Sequence, residues 1–152
     1  MYFLGKGVSQ DYTEAEKWIR RAAEQGHAYA QYALGAMYTD GKGVSQDPTE
    51  AAKWLRFAAE QGHVRAQESL GFMYHRGRGV PQDHAEAAWW FRRAAEQGDA
   101  DAQFALGVMH LLGNGIPQDF AKAEKWCLRA AAQEHEHARQ CVKKAMALRD
   151  RP

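Results

Sequence analysis

Histidines are the residues of this sequence that could most directly take part in chemistry, because clustered imidazoles bind transition metals. The chain has 152 residues and seven histidines. His27, His63 and His135 recur at multiples of 36 residues, with Asp99 at the intermediate place, so they share one position in a repeated structure. His135 and His137 are two residues apart, and side chains at that spacing do not share a helical face. We therefore predict no metal site and no cofactor.

Two cysteines, Cys127 and Cys141, either form a disulfide or act as small buried hydrophobes. Both lie seven residues from Glu134, so two antiparallel helices that meet there would bring them to similar heights. The Cα distance limit for a bridge could then be met. A bridge also needs an oxidising compartment, for which the sequence shows no targeting signal. Both states stay open from the sequence alone.

Glycine pairs of the form Gly-x-Gly could bind phosphate if the surrounding elements were right. A dinucleotide fingerprint needs a preceding strand and a further glycine, and a P-loop needs a different spacing. Neither condition is met, so we predict that these segments are turns. The pairs are Gly5/Gly7, Gly41/Gly43, Gly77/Gly79 and Gly113/Gly115.

Composition and charge argue against two classes of protein. The 20 Lys and Arg residues nearly balance 19 Asp and Glu residues, so the net charge is +1 and nucleic-acid binding is not expected. No apolar run approaches the ~20 residues of a membrane helix, so we expect no membrane insertion. The first residues do not resemble a secretory leader. We therefore expect a cytoplasmic chain, or a processed or truncated periplasmic or secreted one.

A period of 36 residues organises almost the whole chain. Several residue types recur at that spacing, which is the signature of a repeat architecture. They are Trp18, Trp54, Trp90 and Trp126; Gly35, Gly71 and Gly107; and Asp11, Asp47, Asp83 and Asp119.

Turn and capping residues divide each unit into two helices. Helix B is expected to begin at each recurring Asp, a helix-capping residue, and to end before Gly26, Gly62 or Gly98. Helix A follows over about 28–39, 64–75 and 100–111, and the short connection makes the two helices antiparallel. The glycine inside each helix A is expected to allow close contact with a pair of alanines on helix B.

The repeated unit reads Ala-Gln-x-x-Leu-Gly-x-x-Tyr, Gly-x-Gly-Val-x-Gln-Asp and Ala-x-x-Trp-x-x-x-Ala-Ala-x-x-Gly. This pattern resembles the Sel-1-like repeat, a family of helix pairs related to tetratricopeptide repeats. The resemblance implies an all-α fold, a right-handed α-solenoid of antiparallel helix pairs, with a concave surface used to bind proteins. We expect a single domain over 1–152. It comprises a partial repeat 1–26 that lacks helix A, units 27–62, 63–98 and 99–134, and a capping helix 135–149.

The resemblance also raises an enzymatic alternative, because a cysteine-rich branch of the family has been linked to penicillin binding. A hydrolase or small-molecule binder of that kind would require a nucleophile such as Ser-x-x-Lys. Ser9, Ser45 and Ser69 lack the lysine. We therefore predict no catalytic residue, and we expect a non-catalytic scaffold or adaptor that binds a peptide or helix of another protein.

Positions that vary between copies of helix A are candidates for recognition, since constant positions build the scaffold. Apolar residues at four of these positions form a second stripe on the last helix A, which is typical of a partner site. The structural alternative is that this stripe only packs against the capping helix. The predicted concave residues are Tyr29, Tyr32, Arg65, Glu68, Phe72, His75, Arg76, Phe104, Val108, Leu111 and Leu112.

Two aromatic residues on helix B replace cations of the other copies. Phe57 and Trp89 lie one turn apart in register, so on neighbouring helices they could form one convex contact surface or reflect a local packing change. The first helix B is expected to expose Trp18 and Ala22, because its helix A is missing. This uncapped end is a candidate surface for self-association.

Overall fold

The structure, a computed structural model, describes the backbone of residues 4–151 and the side chains of residues 11–151. Within that range the chain forms eight α-helices and no strand, which confirms the predicted all-α solenoid. None of these helices is long and apolar enough to cross a membrane. The helices are α1 (Leu4–Glu24), α2 (Ala28–Asp40), α3 (Pro48–Glu60), α4 (Val64–Arg76), α5 (His84–Glu96), α6 (Ala100–Leu112), α7 (Phe120–Ala132) and α8 (Ala138–Arg149).

Recurring Asp and Gly residues bound the helices where the sequence places them. The Asp47 carboxylate accepts hydrogen bonds from the backbone N–H groups of Thr49 and Glu50, at 3.0 and 3.1 Å, and so caps α3. Asp83 caps α5 in the same way, and the Asp119 carboxylate caps α7 by accepting from the Lys122 N–H. The even-numbered helices α2, α4 and α6 each end at the first glycine of a Gly-x-Gly turn. That glycine has φ near +70°, a left-handed conformation that favours glycine.

The first helix departs from the prediction. We expected a turn at Gly5 and Gly7 and a helix start at Asp11, but α1 is continuous from Leu4. In later copies the turn is held by a carbonyl of the preceding helix, as in the hydrogen bond from Gly41 N–H to Met37 O at 2.8 Å. The residue equivalent to Met37 is Met1, which lies outside the described residues.

The glycine inside each of α2, α4 and α6 permits close packing, but its nearest neighbour is not the predicted alanine pair. A Cβ atom added to Gly71 would lie 2.6 Å from ring atoms of Phe91, and one added to Gly35 would lie 2.7 Å from Leu55 Cγ. No side chain fits at these distances unless its neighbour moves. Gly35 and Gly71 are therefore required, because a large side chain of the next helix fills the space that a side chain at these positions would need.

Pairs of glutamines, one exposed and one buried, join each repeat to the next. The Gln97 Nε2 atom donates to Gln67 Oε1 at 2.8 Å and lies 3.2 Å from Gly62 O, while Gln67 Nε2 donates to Ala59 O at 3.0 Å. The same contacts join Gln61 to Gln31 and Gln133 to Gln103. We call these three pairs the glutamine ladder. Because a buried amide without partners is costly, the glutamine ladder favours one stacking register between repeats.

The recurring tryptophans show how burial changes along the stack. Trp54 and Trp90 are only 8% and 2% exposed, and both belong to apolar clusters between helices. Trp18 occupies the same register on α1 but is 62% exposed. The expected exposure is therefore present for Trp18, whereas Ala22 is only partly exposed and packs against the cluster that contains Trp54.

The two cysteines form a disulfide bond. Glu134 replaces the turn glycine of the other copies and adopts φ 61°, so α7 and α8 meet in the same antiparallel arrangement. The Cα atoms of Cys127 and Cys141 are 6.0 Å apart, and both side chains are buried. The bridge joins the last two helices covalently and decides between the two alternatives that the sequence left open.

Candidate functional site

The even-numbered helices line the inner side of the stack. Helix α4 contacts α6 and α6 contacts α8, although an odd-numbered helix separates each pair along the chain. Two adjoining cavities open on this side and share one lining residue, Phe72. We call them the α2–α4 cavity and the α4–α6 cavity, and together the groove.

The α4–α6 cavity has a volume of about 410 Å³ and a mainly apolar lining. The apolar side chains come from α4, α5 and α6, while histidines from α4 and from the α7–α8 connection stand at its rim. This composition suits an apolar side chain of a partner, with polar groups to fix its position. The lining residues are Phe72, His75, Phe91, Asp101, Phe104, Ala105, Val108, Met109, Leu112, Asn114, His135 and His137.

The α2–α4 cavity, of about 350 Å³, combines aromatic and basic side chains. Tyr32 and Phe72 face it from neighbouring helices, and Arg76 and Arg78 lie at its loop side. The Arg76 guanidinium carbon is 5.4 Å from the centre of the Phe72 ring, within the range of a cation–π contact. The cavity therefore places positive charge beside an aromatic surface.

A stacked pair between neighbouring repeats supports the wall of the groove in two of its three copies. The Tyr32 ring stacks on His63 with centres 4.5 Å apart, and the Phe104 ring stacks on His135 at 4.4 Å. The middle copy instead has Glu68 and Asp99 at these two positions. The shared register indicates a role at the start of helix A, and His63 has it, because its Nδ1 accepts from the Ala66 N–H at 3.3 Å. His63 and His135 also pack between repeats.

The carboxyl pair of the middle copy is held by one arginine. Arg65 Nη1 lies 2.8 Å from Glu68, 3.8 Å from Asp99 and 3.9 Å from Asp101, and His135 Nε2 lies 3.2 Å from Asp101. Oxygen atoms of the three acids lie within 4.8 Å of one another. Among the described residues, this group most resembles a set of metal ligands. Arg65 already supplies their positive charge.

Glu68 was predicted to face a partner, and the structure corrects this because its side chain is buried. Burial, with the negative charges of Asp99 and Asp101, raises the pKa of Glu68 to about 7, although Arg65 opposes the change. Glu68 therefore belongs to the internal contact between α4 and the start of α6, and it is not an accessible recognition residue.

Glu68→Gln should make stability less dependent on pH. A carboxyl group whose pKa is higher in the folded than in the unfolded state contributes stability that is complete below about pH 4.5 and is lost as the pH rises through about 7. The Tm of the wild type minus that of Glu68→Gln should thus fall between about pH 5 and pH 8. The control is Glu60→Gln, at an exposed position. If the Tm difference of Glu68→Gln changes no more with pH than that of the control, the raised pKa of Glu68 is contradicted.

Seven of the other ten predicted residues border the groove, and three do not: Tyr29, Arg65 and Leu111. Tyr32, Phe72, His75, Arg76, Phe104, Val108 and Leu112 line one or both cavities. Tyr29 is 76% exposed and lies beside His63, outside both linings, and Arg65 is exposed at the acid network.

Leu111 is the second correction, because it is buried with Cys127 and Cys141 between α6, α7 and α8. Phe104 and Val108 also pack against this cluster while they line the cavity. The alternative of packing against the capping helix is therefore right for Leu111. Leu112 is 59% exposed.

The structure adds lining residues that the comparison of copies did not select. Arg78 and Asn114 are the middle residues of Gly-x-Gly turns, and their variation from Lys42 was a usable signal. Phe91 and Met109 belong to constant apolar positions, so nothing in the sequence separates their groove contact from their role in the core.

The two aromatic residues on the outer helices are both exposed, Phe57 by 43% and Trp89 by 49%. Phe57 contacts Trp54 and Trp89 contacts Trp90, each on its own helix. Among the described side chains no ring contact joins Phe57 to Trp89. A shared convex contact surface of Phe57 and Trp89 therefore stays a prediction.

The chain is a stack of antiparallel helix pairs that are joined by the glutamine ladder and line one groove. This arrangement defines the class of protein, an α-solenoid repeat protein. The Sel1 repeat family matches residues 1–27, 28–63, 64–99 and 100–135, and the chain belongs to this family. Sel1 repeat proteins are typically protein-interaction scaffolds and typically not enzymes.

The solved structures that are similar to the chain include the following three. A Sel1 repeat protein from Oxalobacter formigenes is 38% identical with a TM-score of 0.82, and the match covers 86% of this chain and 54% of that one. The protective antigen c5321 of uropathogenic Escherichia coli, with an SLR fold, is 36% identical with a TM-score of 0.75, over 88% and 33% of the two chains. Cysteine rich protein B of Helicobacter pylori is 22% identical with a TM-score of 0.67, over 86% and 94%.

The last of these likenesses shows the fold alone. The chain spans about half of the Oxalobacter protein and a third of the Escherichia coli protein. The comparison with curated proteins gives no match.

Proposed function

We propose that the chain is a non-catalytic interaction scaffold whose groove binds a peptide or helix of another protein. The observation that carries this proposal is the α4–α6 cavity, where Phe72, Phe104 and Val108 present partly exposed apolar side chains beside the exposed Leu112. Apolar surface of this kind on a soluble protein commonly marks a site of protein association.

The rings of Phe72 and Phe104 are suited to act as binding anchors. Phe72 is fixed edge-on against the buried Phe91 ring at 4.9 Å, and Phe104 is fixed by its stack on His135. An anchor that is already held in place loses little side-chain freedom when a partner binds. The groove therefore offers two preformed contacts on neighbouring helices.

Phe72→Ala and Phe104→Ala should each weaken partner binding by about 2 kcal/mol, the loss typical of a binding anchor. The matched control is Trp89→Lys, which replaces an exposed aromatic residue on the outer surface with the residue type of the other copies. The affinity of a partner recovered by pull-down is measured for all three variants at matched stability. Loss of binding only in Trp89→Lys would assign the function to the outer helices.

Self-association through the uncapped end of the stack stays a prediction. The exposed side chains of Trp18 and Tyr12 on α1 supply the apolar surface that it requires. The alternative of a hydrolase or a binder of penicillin-like ligands has no comparable support, because the described cavities contain no serine with a nearby lysine.

A further inference from the structure

The acidic side chains that line the groove are already paired with basic ones. In the α2–α4 cavity, Asp40 lies 3.2 Å from Lys42. In the α4–α6 cavity, Asp101 lies 3.2 Å from His135 and 3.9 Å from Arg65. The groove therefore offers no carboxylate without a basic neighbour to a positively charged partner.

The two arginines of the groove are in the opposite situation. Among residues 11–151, no carboxylate lies within 4 Å of the guanidinium group of Arg76 or Arg78. Arg76 lies over the Phe72 ring, and Arg78 has a long contact of 3.5 Å with the Thr39 carbonyl. The α2–α4 cavity therefore has two arginines without a carboxylate partner, while its one lining carboxylate, Asp40, is already paired with Lys42.

We propose that the groove recognises an acidic peptide, a protein segment in which an apolar residue has an Asp or Glu within two positions. The inference rests on the proposed function and adds the chemistry of the partner. The apolar residue enters the α4–α6 cavity beside Phe72 and Phe104, and the carboxylate pairs with Arg76 and Arg78 in the α2–α4 cavity. Unpaired arginines beside an apolar surface select such a partner through charge complementarity.

The spacing of the groups sets the distance between the two features of the peptide. The Arg76 guanidinium carbon is 5.4 Å from the centre of the Phe72 ring. In an extended peptide, side chains two residues apart point to the same side and are about 6.6 Å apart. A carboxylate two residues from the apolar anchor therefore reaches the arginines while the anchor contacts Phe72.

The test uses random peptides displayed on phage and selected on the wild-type protein, after which the recovered peptides are synthesised and their affinities measured by fluorescence polarisation. We expect recovered peptides to carry Asp or Glu within two positions of an apolar residue. The double variant Arg76→Gln with Arg78→Gln should bind them about fivefold to tenfold more weakly, as expected for two exposed ion pairs. Added salt should weaken binding to the wild type more than to this variant.

The matched control is Arg92→Gln with Lys125→Gln, which removes two exposed cations from outer helices and should leave affinity unchanged. Replacing the acidic residue of the peptide with its amide should reduce affinity for the wild type but have little further effect on the arginine variant. This non-additivity distinguishes a direct contact from a general effect of charge.

Several outcomes would overturn the inference. If recovered peptides lack acidic residues but lose affinity for Phe104→Ala, the groove binds peptides and only the charge preference is wrong. If they bind Phe72→Ala and Phe104→Ala as tightly as the wild type, or if no peptide is enriched over a blank surface, the proposed function fails as well. Tighter binding of a short single-stranded oligonucleotide, lost in the arginine variant, would assign the arginines to nucleic acid instead.

Discussion

Trp90→Ala should destabilise the protein by about 3–5 kcal/mol, the usual cost of deleting a large aromatic side chain from a core. Trp90 is 2% exposed and belongs to the main apolar cluster, which spans helices α3 to α6. Its removal would leave a cavity at the centre of the stack that the surrounding helices can fill only in part. The free energy of unfolding is obtained from urea denaturation followed by circular dichroism.

Trp18→Ala is the internal control for that experiment. Trp18 has the same register and the same residue type, but it is 62% exposed. Its replacement should cost less than about 1 kcal/mol, because little apolar surface returns to water. The urea dependence of the unfolding free energy should stay constant in both variants. Equal losses for the two tryptophans would show that the burial difference along the stack does not govern stability.

Gly71→Leu should destabilise the protein by about 3 kcal/mol, the upper part of the range for overpacking a core. Even the first added carbon would lie 2.6 Å from ring atoms of Phe91, which is itself buried and held against Phe72. Leucine improves intrinsic helix propensity over glycine by at most about 1 kcal/mol, so the steric cost dominates. Thermal and urea unfolding would both report the change.

Ala85→Leu provides a comparable increase in size on an exposed part of the adjacent helix α5. We expect its effect to stay within about 0.5 kcal/mol. A melting midpoint of Gly71→Leu that matches this control would contradict the close contact between α4 and α5. A smaller loss for Gly71→Ala than for Gly71→Leu would show that Phe91 can move to accommodate one carbon.

The 36-residue register was sufficient to predict the helices, their order and most of their ends, because each boundary is coded by a local residue. Asp47 caps a helix and Gly41 ends one through contacts within a few residues. The start of α1 was not predicted correctly in this way. Gly5 and Gly7 match the turn pattern but lie within α1, so the glycine pair alone does not determine a turn.

The groove was predictable only in part because variation between copies does not reveal burial. Phe72 and Phe104 vary and line the cavities, whereas Glu68 varies because its neighbour in the next repeat also changes from His to Asp99. The paired change creates an internal acid network around Arg65. Comparing pairs of contacting positions, instead of single positions, is what identifies such an exchange.

The Cys127–Cys141 bridge limits local opening beside the groove. In a stack where each helix pair contacts only its neighbours, helices can separate locally without unfolding of the whole chain. Helix α8 cannot separate from α7 while the bridge is intact. Phe104 and Val108, which line the α4–α6 cavity, pack against the cluster that contains the bridge. The redox state therefore decides whether this wall of the groove is covalently held.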